Sequence, residues 1–243
     1  MSFLERVDQS IRRSPVWRSI FRNPYPTDER SRAYNVMNSV FLHIHPVRVR
    51  QHAVKFAYTF CLGGLSFFLF LVLTVTGVYL MFFYTPSATQ AYTDILNMQT
   101  EVTFGQLTRN IHRWGAHLMV FFVFLHMMRV FYHGAYKPPR EFNWVVGVIL
   151  LFLTTFGLSF TGYLLPWDQI AYWAITIGSN MAGYIGIVAY PSKVILLGGL
   201  EVGQNTLLRF YVLHIMFMPL ITAIFLAVHF WRIRKDGGIA GPL

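Results

Sequence analysis

The apolar run Arg109 to Tyr132, RNIHRWGAHLMVFFVFLHMMRVFY, carries His112 and His126, fourteen residues apart. At about 100° per residue, fourteen residues return to within roughly 40° of the starting direction, and at 1.5 Å each they climb about 21 Å. Both imidazoles therefore share one side of a single helix, one near each end. A second apolar run, Leu207 to Trp231, holds His214 and His229 fifteen apart. Ionisable side chains inside lipid are costly and mark function. With 55% hydrophobic and only 12% charged residues, the chain is no ordinary soluble domain.

Apolar runs predict four membrane spans, at about 55–84, 102–132, 142–165 and 207–231. The expected fold is an all-α membrane protein, a four-transmembrane-helix haem-binding bundle with an N-terminal amphipathic surface helix. Residues 53–243 form the bundle domain and residues 1–52 an N-terminal basic extension. In that extension Phe3, Leu4, Val7, Ile11 and Trp17 recur at helical spacing opposite Arg6, Arg12, Arg13 and Arg18, as in a helix lying on a membrane surface. The connector from Trp167 to Asn205, with its glycines and prolines, is read as short interfacial helices. The net charge of +10 resides in the extension, in the loop with Lys137 and Arg140, and in the C-terminal tail. Positive-inside counting then puts both termini on the cytoplasmic or stromal side. The basic residues flank apolar runs instead of forming one face, so anionic lipid and haem propionates fit them better than nucleic acid.

Antiparallel spans pair His112 with His214 and His126 with His229, and a low-spin haem iron takes two axial ligands of this kind from flanking helices. The reading is two haem b sites, the first pair nearer the outer surface. Arg109, Arg209 and Arg129 stand near these histidines and are assigned to propionates; simple snorkelling at span ends is the bland alternative. Gly63 and Gly77, also fourteen apart, offer flat spaces for haem packing on the first span, or close helix contact. The extra residue between His214 and His229 needs a local correction, and Pro219, which removes a backbone donor, predicts a distortion there. On spacing alone Cys61 is a buried, inert small hydrophobe.

FCLGG at 60–64, RNIHRW at 109–114, LHMMRVFYHGAYKPPRE at 125–141, TGYLLPWDQ at 161–169, TLLRFYVLH at 206–214 and VHFWRIRKDGGIAGPL at 228–243 resemble the N-terminal half of split cytochrome b, as in b6f and related bacterial Rieske–cytochrome bc complexes. The resemblance implies a quinol:cytochrome c or plastocyanin-type oxidoreductase subunit that passes electrons between quinol-oxidation and quinone-reduction sites, with an active site incomplete on its own. It also implies a third, covalently attached c-type haem on the thioether of Cys61, with Arg234 at its propionates. Expected partners are a subunit-IV-like C-terminal cytochrome b half, a Rieske iron–sulfur protein, a c-type cytochrome or soluble acceptor, quinone, membrane lipid and a second copy of the complex. The competing readings are a di-haem membrane anchor of a dehydrogenase or hydrogenase, and a non-redox transporter. Two departures stand out. The stretch Trp144 to Trp167 is one residue longer than in the family, which displaces Gly147 unless the third span holds a bulge. The N-terminal extension is also longer, and His43, His45 and His52 in it have no assignable role.

Overall fold

A computed structural model describes residues 3–20, 28–37, 51–184, 189–237 and 239. Among these the regular secondary structure is all helical, and four helices are long and apolar enough to cross a membrane: Leu62–Met81, Gly105–Tyr132, Glu141–Tyr163 and Gln204–Asp236. Only 6% to 24% of each span's most apolar window is buried within the chain, so these helices keep most of their apolar surface for lipid, cofactor or partner chains. His43 and His45 lie outside the described residues, while His52 sets its ring edge-on to Tyr58, 5.0 Å between centroids.

Two compact units make up the chain. One comprises residues 1–62, 124–152 and 223–243, the other residues 63–123 and 153–222.

In the first unit, Phe3–Arg13 forms the expected amphipathic helix, with Phe3, Leu4 and Ile11 exposed. A break at Ser14 puts Trp17 on a second short helix, Pro15–Ile20, which packs against Glu141–Val145 at the start of the third span. The first span begins later than its hydropathy suggests. Phe56–Thr59 is a separate helical turn, and Phe60 and Cys61 both adopt the left-handed conformation, φ 49° and 51°. Each such residue with a side chain costs roughly 1–2 kcal/mol and persists only where its surroundings impose it. The turn leaves Cys61 exposed, not buried as its apolar neighbours imply.

In the second unit the connectors carry the densest packing. Gln169–Ala182 is capped by Asp168, whose carboxylate accepts the Ala171 N–H at 2.8 Å. Together with Ala189–Leu197 it closes a core of Leu164, Ala171, Ile175, Leu197 and Phe210. The Gln204 side chain ties the start of the fourth span to the other connector, accepting from Ala88 N–H at 2.7 Å and donating to the Pro86 carbonyl at 2.8 Å. Tyr84 donates to the Leu165 carbonyl at 2.6 Å; burial raises its phenol above the ordinary range, so it stays a donor.

Two stretches depart from α geometry. Val146–Phe152 in the third span and Leu213–Phe217 in the fourth are π-helical, each taking up one residue more than an α-helical turn. The first is the bulge that the longer third span requires. The second lies just ahead of Pro219, not at it. Proline's missing N–H leaves the Ile215 carbonyl, four residues back, without its α-helical donor, and Ile215 sits inside the wide turn.

Candidate functional site

The second unit holds the first pair of histidines. The imidazoles of His112 and His214 have ring centroids 6.2 Å apart. Thr76 donates its hydroxyl to the Val72 carbonyl at 2.7 Å, in the i−4 pattern of its own helix. Its oxygen is then left to accept from His112 Nδ1, 2.9 Å away. Thr161 repeats the arrangement: it donates to the Gly157 carbonyl at 2.8 Å and faces His214 Nδ1 at 3.1 Å. A hydroxyl already committed as donor selects the Nδ1–H tautomer, so each ring presents an unprotonated Nε2, the form that binds a metal.

The next residue completes each half. A Cβ on Gly77 would stand 3.2 Å from His112 Cε1, and one on Gly162 would stand 2.5 Å from His214 Cε1. Gly77, read from sequence as room for haem, thus borders the His112 imidazole. Thr76 and Thr161 were not among the residues singled out by spacing. The signal was present, since both belong to a Thr–Gly pair, Thr76–Gly77 and Thr161–Gly162, in corresponding spans.

The first unit holds the second pair, His126 and His229, with centroids 6.3 Å apart. Here, among the described residues, no hydroxyl intervenes, and the buried His229 Nδ1 has no hydrogen-bond partner. A Cβ on Gly147 would meet His229 Cε1 at 3.6 Å, an ordinary contact. Gly147 therefore does stand beside the histidine, and the π-helical stretch that begins at Val146 is the means. Gly63, in the first turn of its span, is half-buried.

The two separations suit a metal held between two rings. Two imidazole–metal bonds of about 2 Å, with roughly 1.2 Å from nitrogen to ring centre on each side, span a little over 6 Å. The near-equality of the pairs, 6.2 and 6.3 Å, is hard to obtain from packing alone. Among the described residues no cluster of three His, Cys, Asp or Glu suggests any other metal site.

The arginines differ from one another. Arg129 places its guanidinium over the rings of Tyr58 and Phe60, 5.5 and 5.2 Å from the centroids, with a buried Nε that makes no hydrogen bond among the described residues. Arg209 donates from Nη1 to the Ile195 carbonyl at the end of the connector helix, which leaves other donors of its five-fold set. Arg109 and Arg234 are half-buried, three residues before His112 and five after His229 respectively.

Glycine contacts separate two otherwise similar substitutions. Gly162→Ala forces its methyl into the His214 ring and is expected to cost about 1–3 kcal/mol of overpacking at that site. Gly147→Ala meets His229 at van der Waals distance and should be nearly neutral. Reduced-minus-oxidised spectra of the two purified variants check this: haem loss or a shifted band belongs to Gly162→Ala alone.

Comparisons with known proteins agree with this geometry. The family model for cytochrome b/b6/petB matches residues 48–237. Cytochrome b6 of Heliobacterium mobile is 46% identical over 199 residues, covering 82% of this chain and 91% of the relative. The menaquinol:cytochrome c reductase cytochrome b subunit of Geobacillus thermodenitrificans is 39% identical over 238 residues, covering 98% and 96%. Among solved structures, a hyperthermophilic respiratory complex III chain superposes with a TM-score of 0.68 at 27% identity, covering 86% of this chain and 54% of that one. With the family match over most of its length and two histidine pairs spaced for haem iron, the chain belongs to the cytochrome b/b6 family, as a bc-type cytochrome b subunit.

Proposed function

We propose that the chain carries electrons across its membrane from a quinol-oxidation side to a quinone-reduction side, with His112–His214 and His126–His229 each holding one b haem. The observation that carries this reading is the pair of imidazole separations, 6.2 and 6.3 Å, on the second and fourth spans. When bound, the haems supply reversible one-electron transfer. The protein's part is ligation, tautomer selection by Thr76 and Thr161, and charge compensation by Arg109, Arg209 and Arg129 at the propionates.

Cys61 is the residue for a third, covalently held haem. Its exposed thiol sits on a strained left-handed turn in the unit that contains His126 and His229, and Arg129 lies over the ring of the preceding Phe60. Arg234 is the cation for that group's propionates. The basic ends of the second and fourth spans and the Arg-rich amphipathic helix Phe3–Arg13 favour both termini, and the His126–His229 site, on the cytoplasmic or stromal side, with anionic lipid along that helix. The chain spans 54% of the complex III chain it resembles, and in this reading a subunit-IV-like cytochrome b half contributes to the quinol-oxidation pocket. A Rieske protein, a c-type or soluble acceptor and a dimeric assembly complete the proposed complex.

Pyridine haemochrome spectra before and after acid–acetone extraction, with a haem-stained denaturing gel, test the reading. The expected result is two extractable haems per chain and one resistant haem that disappears in Cys61→Ala. Staining that survives Cys61→Ala removes the thioether assignment, and a colourless protein removes the cytochrome function.

A further inference from the structure

The last turn of the fourth span holds a charge pair that ordinary helix chemistry does not favour. Arg232 is 0% exposed and Asp236 1%, with Arg232 Nη2 and Asp236 Oδ2 3.0 Å apart. Span-end arginines usually reach for water. The Arg232 guanidinium instead lies 5.3 Å from the centre of the Phe142 ring and 5.8 Å from that of Trp231. A carboxylate in a final helical turn faces the negative end of the helix dipole, and arginine ahead of aspartate is the weaker order for an i,i+4 pair. Burying both charges is also often no better for stability than apolar residues of the same volume. Fold stability therefore gives little reason for the pair.

Its place in the chain gives a better one. Arg232 follows His229 by three residues on the same helix, and the His229 ring lies against Gly147 of the span that Phe142 helps to begin. We infer that Arg232 and Asp236 act on the electron affinity of the His126–His229 site as a buried, mutually offsetting pair of charges, so that either one without the other moves that affinity from its working value. The inference rests on the reading that these two histidines hold a haem. Iron between two neutral imidazoles carries one more positive charge when oxidised than when reduced. A buried cation nearby therefore favours the reduced form and a buried anion the oxidised one, more strongly than in water. In the native pair these effects largely cancel, with Arg129, Arg234 and Lys235 as the remaining positive charges on the second- and fourth-span ends.

Redox titration of the α-band in the intact complex tests this, with the His112–His214 haem as internal reference. Asp236→Asn is expected to raise the midpoint of the His126–His229 haem, and Arg232→Met to lower it. The double variant Arg232→Met with Asp236→Asn should return close to the wild-type value. If a single variant assembles without that haem, its recovery in the double variant supports the pairing equally. Midpoints that stay fixed or move the same way in both single variants, or a double variant no nearer wild type, overturn it. A wild-type complex without two b-type bands would instead remove the haem reading itself.

Discussion

Replacing His229 by leucine is expected to remove one of the two b haems and leave the other in place. Leucine fills a similar volume but offers no lone pair, so the iron that His126 and His229 would share loses an axial ligand. Among the described residues His229 Nδ1 has no hydrogen-bond partner that the change would strand. The proposed His112–His214 site would keep both of its imidazoles, each beside its own threonine, Thr76 and Thr161. Reduced-minus-oxidised spectra should show about half of the native b-haem absorbance, with a single midpoint in redox titration. Electron delivery to quinone should fall by about 100-fold or more, beyond the 10–100-fold typical for losing an outer-shell partner. Thr161→Val provides the graded comparison: it keeps the ligand, frees the His214 tautomer, and should weaken haem retention without abolishing it. Two intact bands in His229→Leu would remove His229 from the ligand set.

The second large effect concerns residue number within a helix. His112 and His126 are fourteen apart on a span that is α-helical throughout, Gly105–Tyr132. His214 and His229 are fifteen apart, and so are Gly147 and Gly162, and each of these two spans contains one π-helical stretch. One surplus residue absorbed by one wide turn leaves the flanking residues in fourteen-residue phase. Deleting Ile149 or Met216, both about half exposed, should therefore let the wide turn close to an α turn while both haems are kept. Deleting Phe121 between His112 and His126, where there is no wide turn to close, rotates one histidine by about 100° and should cost a haem. Haem-to-protein ratios of the three purified deletion variants decide the matter. Haem loss on deleting Ile149 and Met216 would mean that the wide turns are needed in their own right.

The spans were legible because lipid imposes a simple rule: some twenty apolar residues with few charges, and no unsatisfied backbone. Histidine in such a run is rare enough that its spacing carried the pairing as well. Boundaries were less legible where local conformation overrides hydropathy. The first span looks continuous from residue 55, yet Phe60 and Cys61 turn left-handed, and no residue type there announces it. Arg232 reads as one more snorkelling cation, because sequence does not show that Asp236 and the Phe142 ring close over it.

What the sequence by itself determined is therefore the set of elements and the chemistry they carry: four spans, an amphipathic basic helix, two pairs of spaced histidines and one cysteine. What only the tertiary structure decided is register. Pro219 predicts a distortion in the fourth span, but its place at Leu213–Phe217 is set where the Ile215 carbonyl loses its donor. In the third span no proline marks the wide turn at Val146–Phe152, and it is visible only because Gly147 and Gly162 both meet a histidine ring. The physical reason is that an α turn and a π turn differ by one residue: in the fourth span Pro219 marks where that residue is taken up, whereas in the third span nothing in the local sequence does.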